Sequence, residues 1–367
     1  MSSFTATKVW FKRLPSSLTD PLLTQLGMKT RRKWNTDYLT AMPRDEPALK
    51  QEYVRKGLHE CRDTFIIHRI LGNDLVHRHK MGQTEQSLRF ILEHEPDFDN
   101  CSKRWVVNRI FDPQVEENII NILEQHDQKY LHIPFVLEDY ARIGFDHAAF
   151  PDERFFEGQP FRSLDIRKQT RAKLALYRLK NIYVMNNNGA RNAALEDGRK
   201  SAKWTMPFDG NCFVTKQAWN ATLQAVMERP HLKYFIIPMQ RLLDNQQAFD
   251  KKLKINPVEE PQLLFRQDSK ESFNPDFAYG YRPKIEMFWR LGIPGVWNNF
   301  NLDRWDQMPR GLSDEAHQFG AAGHVLRLFS GQKSMEKASA KGFKSRAEAR
   351  NLAIMSTIDM LDRKISG

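Results

Sequence analysis

Two spacings of apolar residues divide the chain. Runs rich in β-formers predict strands at Thr64 to Leu71, Arg104 to Phe111, Leu131 to Leu137, Ile182 to Met185, Trp204 to Phe208, Leu232 to Met239 and Pro261 to Phe265. The other spacing is helical. Leu88, Ile91 and Leu92 share one face of Thr84 to His94, and Ala218, Leu223 and Val226 share one face of Thr215 to Met227. Asp112-Pro113 supplies a cap and a first-turn proline for a helix burying Val115, Ile119, Ile120 and Leu123. Asn187 to Asn192 predicts a turn feeding a helix that runs to about Lys203. Strands alternating with helices in this way predict an α/β fold with a mostly parallel central sheet and helices on both faces. Residues 138–165 break the rhythm, with Tyr140, Phe145, Phe150, Phe155, Phe156 and Phe161 set irregularly among Gly, Pro and acidic residues, and predict an insertion. A single basic helix is expected after it, from Arg162 to Lys180.

Composition narrows the class. The chain has 367 residues, 41% of them apolar and 28% charged, which excludes a wholly disordered or collagen-like protein. Lys and Arg exceed Asp and Glu by 11, a surplus that favours anionic partners. Basic residues gather at Lys29-Thr30-Arg31-Arg32-Lys33 and again between Gln332 and Arg350, where Leu352, Ile354, Ile358 and Leu361 predict a terminal helix packed on the body. A solvated face is the default reading of both; the alternative is a site for anionic lipid or substrate at the first, and a surface for anionic lipid or an acidic polysaccharide at the second. No apolar run approaches the roughly 20 residues that cross a bilayer. The N-terminal stretch lacks the apolar segment of a secretory signal. The three cysteines, Cys61, Cys101 and Cys212, form no close pair, so a cytoplasmic protein, in peripheral contact with a membrane at most, is expected.

The chemistry concentrates in Asn186 to Phe213, where Gly189-Ala190-Arg191-Asn192 leads through a helix and strand to Asp209-Gly210-Asn211. This segment resembles the donor site of family-2-like nucleotide-sugar glycosyltransferases of GT-A fold. There a Gly-x-x-x-Arg-Asn turn leads into a strand ending in an acidic Asp-x-Asp motif. The segment order agrees, with Asn73 and Asp74 after the first strand and Asp112 after the second. Tyr279 to Leu291 resembles the family's later acidic segment, with Pro283-Lys284 in place of its Glu-Asp pair and Glu286 and Arg290 at its third acid and its arginine. The resemblance spans roughly 64–295. It implies a Rossmann-like GT-A catalytic domain at 63–295, carrying the insertion and basic helix at 138–180, between a basic N-terminal extension (1–62) and a C-terminal acceptor-side and helical region (296–367). It also implies a donor site of Asn73, Asp74, Asp112, Arg191, Asn192, Asp209 and Asn211.

Sugar transfer from such a donor must neutralise a departing diphosphate and take a proton from the acceptor hydroxyl. Asp209, at a strand end before a flexible glycine, is placed to hold a metal or the ribose, while Asn211 offers a carbonyl oxygen without charge. Two solutions remain open. Mn²⁺ or Mg²⁺ is held by the diphosphate, Asp209, Asn211 and a downstream histidine, His324 or else His317, or Arg191 and Lys284 neutralise the leaving group. Glu286 is the expected base, with Asp209 the second catalytic residue; the plainer alternative for Glu286 is a helix-surface pair with Arg290. For Asp209 it is a turn cap, and for Arg191 a surface ion pair. Trp289, Trp297 and Trp305 offer either a sugar-stacking platform or ordinary core. The expected donor is a UDP-sugar or another nucleoside-diphosphate sugar, the acceptor a glycan or lipid-linked glycan, and the stereochemical course inverting. Two other classes compete: a non-catalytic nucleic-acid-binding protein and a sugar nucleotidyltransferase. Neither is supported by a zinc-finger, RNP, Walker or Gly-x-G-x-x-Gly pattern, and no nucleic-acid partner is expected.

Overall fold

A computed structural model describes residues 37–366, apart from 40, 77, 258, 301, 303 and 332–339. The basic run at Lys29–Lys33 lies outside the described residues. A seven-stranded mixed sheet forms the centre, in the order β3-β2-β1-β4-β8-β6-β9. Its strands are β1 (Phe65–Leu71), β2 (Cys101–Asn108), β3 (Tyr130–Ile133), β4 (Trp204–Asp209), β6 (Tyr234–Ile237), β8 (Gln262–Arg266) and β9 (Phe319–Ala321). β1 pairs in parallel with β2 and β4, β2 with β3, and β6 with β9; only β8 runs the other way, between β4 and β6. A smaller sheet, β5 (Cys212–Phe213), β10 (Val325–Arg327) and β7 (Met239–Arg241), stands beside it. β9 and β10 both come from the region after residue 295, which therefore completes the two sheets instead of standing apart from them.

The helices follow the predicted apolar faces. α1 (Glu46–Arg55) precedes the sheet, α2 (Gln83–His94) buries Leu88 and Ile91, and α3 (Pro113–Gln125) buries Ile119, Ile122 and Leu123. Further along are the short α4 (Leu137–Ala141) and α5 (Gln159–Arg162), then α6 (Ile166–Leu176), α7 (Arg178–Met185), α8 (Asn187–Ser201), α9 (Lys216–Glu228), α10 (Pro283–Arg290) and α11 (Ala340–Ser366). α11 seats Ile354, Ile358 and Leu361 against Leu75, Tyr140, Leu174 and Ala278, while Leu352 stays exposed.

Three expectations change. Ile182 to Met185 is the end of helix α7, and Asn186 turns the chain through a left-handed residue (φ 44°) directly into α8, so no strand intervenes. The expected basic helix from Arg162 to Lys180 is divided between α6 and α7, and Arg162 itself ends α5. Leu232 to Met239 is divided at Pro238, which lacks the amide proton a continuous ladder needs, so β6 and β7 enter different sheets.

Candidate functional site

A cleft of about 780 Å³ opens where β1, β2 and β4 end. Its floor depends on two close backbone approaches. A Cβ at Gly210 would lie 2.4 Å from the Ile70 carbonyl oxygen, so only glycine lets the chain leave β4 against β1 and aim Asp209 into the opening. A Cβ at Gly198 would meet the Thr205 side chain at 2.3 Å, so glycine likewise lets α8 lie flat on β4. The sheet thus brings Asn73, Asp74, Asn108, Arg191, Asp209 and Asn211 to one rim.

Asp209 is the hub. Its Oδ1 accepts from Arg191 Nη2 at 2.8 Å, and its Oδ2 accepts from Gln262 Nε2 at 3.0 Å and Lys284 Nζ at 3.5 Å. Burial would raise its pKa, but Lys284, Arg191 and Arg327 outweigh burial and hold the carboxyl far below the usual carboxylate range. Arg191 is fixed from both sides, its Nη1 donating to Asn188 Oδ1 at 2.9 Å, and its ring of neighbours includes Phe273, 5.5 Å away. The turn-cap and surface-pair alternatives for these two residues give way to a paired, inward-facing arrangement.

Sequence reasoning missed the second carboxylate centre. Glu259 and Glu260, just before β8, both line the cleft. Glu259 is buried and accepts from Arg241 Nη2 at 2.8 Å, with Arg346 at 3.6 Å and Arg327 at 3.9 Å. Burial opposes ionisation there, yet Arg241, Arg327 and Arg346 bring its pKa down to about 2. Glu260 is the more open, paired only with Lys284 at 3.4 Å among the described residues. The signal in the sequence was two adjacent acids before a buried strand, and antiparallel β8 delivers them to the same rim as the ends of the parallel strands. Arg78 and His79 from the loop after β1, and Arg346 and Arg350 from α11, complete the walls. Among the described residues, eight cationic and four acidic ones line the cleft, so their net field is positive. His79 stays neutral: burial, with Arg78, Arg327 and Arg241 nearby, lowers its pKa to about 3.

Other expected site residues lie outside the cleft or have a structural role at its edge. Glu286 is fully buried on α10, bound to Arg290 Nε at 3.0 Å, and does not line the cleft; the helix-pair alternative is the one found, although inside the protein. Asp112 caps α3 through the amides of Gln114 and Val115 and is absent from the cleft wall. Asn192 ties the Phe273 backbone by two hydrogen bonds of 2.8 Å, a structural role. Asn73 joins the two loops after β1 and β2 through Arg109 and Phe111 while still facing the cleft. Asp74 closes its own loop on Thr84, and burial raises its pKa against those hydrogen bonds. Trp305 lies in the aromatic core of the insertion with Phe150, Phe155 and Phe161, and Trp289 packs beside another core cluster; Trp297 is nearly buried at the cleft edge.

The metal set is not assembled. His324 precedes β10, and neither it nor His317 lines the cleft. Both oxygens of Asp209 already accept from protein donors, two of them cationic, and a divalent ion there would adjoin Arg191 and Lys284. Among the described residues no group of three His, Cys, Asp or Glu side chains is placed to hold a metal ion. The residues present do not fit a resident Mn²⁺ or Mg²⁺. Among the described residues no helix is long and apolar enough to cross a membrane.

The sequence matches no protein-family model and no curated protein.

Proposed function

We propose that the chain is a glycosyltransferase of GT-A type that moves a sugar from a nucleoside-diphosphate donor, UDP-linked by preference, to a glycan or lipid-linked glycan hydroxyl. The observation that carries this reading is the 2.8 Å pair of Arg191 with Asp209, joined by Lys284, at the carboxyl ends of the central strands. Open α/β sheets bind ligands at that edge. The mostly parallel central sheet also suits this fold.

In this reading the donor diphosphate lies against Arg191, Lys284 and Arg327, whose fixed charges neutralise the leaving group directly. Asp209 acts as a positioning residue: it holds two of these cations at the rim. Asn73 and Asp74, at the end of β1, face the nucleoside. Glu260 takes the role of base that the sequence assigned to Glu286. It stands beside Lys284 and faces the cleft, whereas Glu286 has no access to it. The acceptor oxygen attacks the anomeric carbon as the bond from that carbon to the phosphate oxygen breaks. The bonding pair leaves on the diphosphate and the hydroxyl proton passes to Glu260, giving inversion.

Convergence of the cations into one cleft favours a compact phosphorylated ligand over an extended nucleic acid. The test is a thermal-shift panel of nucleotides and nucleotide sugars, with and without Mn²⁺ and with EDTA. A donor at a hundredfold excess over its Kd stabilises by ~2.7 kcal/mol. A shift specific to one nucleotide diphosphate that survives EDTA supports the reading. No shift with any of them, or an equal response to RNA, overturns it.

A further inference from the structure

The cleft has cations that the diphosphate does not account for. Arg282 and Arg350 both line it, and neither has an acidic partner in hydrogen-bond or ion-pair range among the described residues. This contrasts with Arg191, Lys284 and Arg327, each of which faces Asp209 or Glu259. Arg282 lies one residue beyond Pro283 from Lys284, with its guanidinium 4.3 Å from the Phe300 ring. Arg350 reaches in from α11, 5.8 Å from the Tyr279 ring, and its Nε is buried without a hydrogen-bond acceptor.

The backbone bears on the same point. Arg282 is left-handed (φ 65°, ψ 52°) at the start of α10, a conformation that side chains other than Gly, Asn and Asp adopt at a cost. Such strain persists where surrounding structure enforces it, and it gathers at ligand clamps. Here it holds a guanidinium among like charges. Burial, then Arg171, Arg350 and Arg167, lower its pKa to about 10, with Glu260 acting the other way. An arrangement that crowds arginines and leaves two without a paired carboxylate among the described residues becomes favourable when an oxyanion enters, because each charge-assisted hydrogen bond is strong in a partly dry site.

We propose that the acceptor carries an oxyanion, a carboxylate or a phosphate ester, and that Arg282 and Arg350 receive it. This rests on the glycosyltransferase reading for the word acceptor; the anion site itself does not. Glu260 adjoins both groups, paired with Lys284 at 3.4 Å and within electrostatic reach of Arg282. An anionic group held by Arg282 and Arg350 thus brings its neighbouring hydroxyl toward the base.

The test uses the full chain with saturating UDP and three probes that differ only at C6: methyl glucuronoside, methyl glucoside 6-phosphate and methyl glucoside. Affinities are read by calorimetry or saturation-transfer NMR. At least one charged probe is expected to bind about tenfold more tightly than the neutral one. Arg282→Gln with Arg350→Gln should reduce that preference to less than about twofold, consistent with the loss of two charge-assisted contacts. Arg350→Gln alone, on a helix face, is the second variant should the strained position not tolerate change, and it should at least halve the preference. Whichever charged probe binds better distinguishes carboxylate from phosphate. Equal binding of all three probes, or a preference that Arg350→Gln leaves intact, overturns the proposal. So does a preference present without UDP and abolished by it, since these arginines would then belong to the diphosphate. If UDP fails to bind while the charged-probe preference holds and depends on Arg350, the donor reading falls and the anion site stands.

Discussion

Glu260 and Glu286 are separated by what each carboxylate touches. Glu260 faces the cleft with one lysine partner, whereas Glu286 is enclosed with Arg290, which also binds Glu271. Glu260→Gln keeps the shape and removes the proton acceptor, so kcat should fall about 10²–10⁴-fold with donor KM little changed, as steady-state kinetics would show. Glu286→Ala should do the reverse. Removing one partner of a buried ion pair costs about 3 kcal/mol or more, and Glu271 offsets part of that. Urea unfolding should report the loss, while kcat of the folded fraction stays near wild type. The sequence could not rank these two glutamates. Spacing from Arg290 placed Glu286 on a helix but gave no information on which side of that helix the cleft would lie. Asp209 was legible because it ends β4, before a glycine, and Arg191 because it lies near the start of α8, the helix that leads into that strand.

Among elements, the junction between β4 and β5 carries the most. Gly210→Ala would drive a Cβ into the Ile70 carbonyl, a backbone atom that cannot step aside. Overpacking of that kind typically costs about 1–3 kcal/mol. Asp209 would shift with it, so both the melting temperature and transfer are expected to drop, the latter at least about tenfold by analogy with misplaced catalytic groups. Wild-type activity in this variant would show that the position of Asp209 is not critical. Strands β1, β2, β4 and β8 were all readable, within a few residues, from short runs of β-branched and aromatic residues. The segment 182–185 was misread because Ile, Tyr and Val favour strands only where a neighbouring strand pairs with them; here the residues end a helix. The direction of β8 was hidden for a similar reason, since strand orientation depends on where the preceding loop leads and not on the strand's own composition.

For the whole molecule, the buried ionisable groups predict acid sensitivity. His79 stays neutral in the fold, with its pKa lowered from 6.5 to about 3, and Glu259 stays charged, with its pKa lowered from 4.5 to about 2. In both cases the unfolded chain binds more protons than the native one inside these windows, so stability rises with pH there. Stability should therefore be complete above about pH 6.5, begin to fall as His79 becomes protonated in the unfolded chain, and fall more steeply below 4.5 as Glu259 adds to it. Urea melts from pH 7.5 to 4 would trace this course, and His79→Gln should flatten its upper part. No local pattern announced either state: His79 is held neutral first by burial and then by Arg78, Arg327 and Arg241, and Glu259 is held charged by arginines gathered from β7, β10 and α11.

The participation of α11 has a consequence for biosynthesis. Most of the cleft wall is encoded before residue 300, yet Arg346 and Arg350 arrive only with a helix read out more than a hundred codons after Asp209. On the ribosome, the nascent chain can pair β1, β2 and β4 long before it owns a finished anion receptor. Recognition of a charged ligand therefore marks a late checkpoint of maturation, and a polypeptide interrupted ahead of α11 would hold much of the sheet without its final guanidinium contacts.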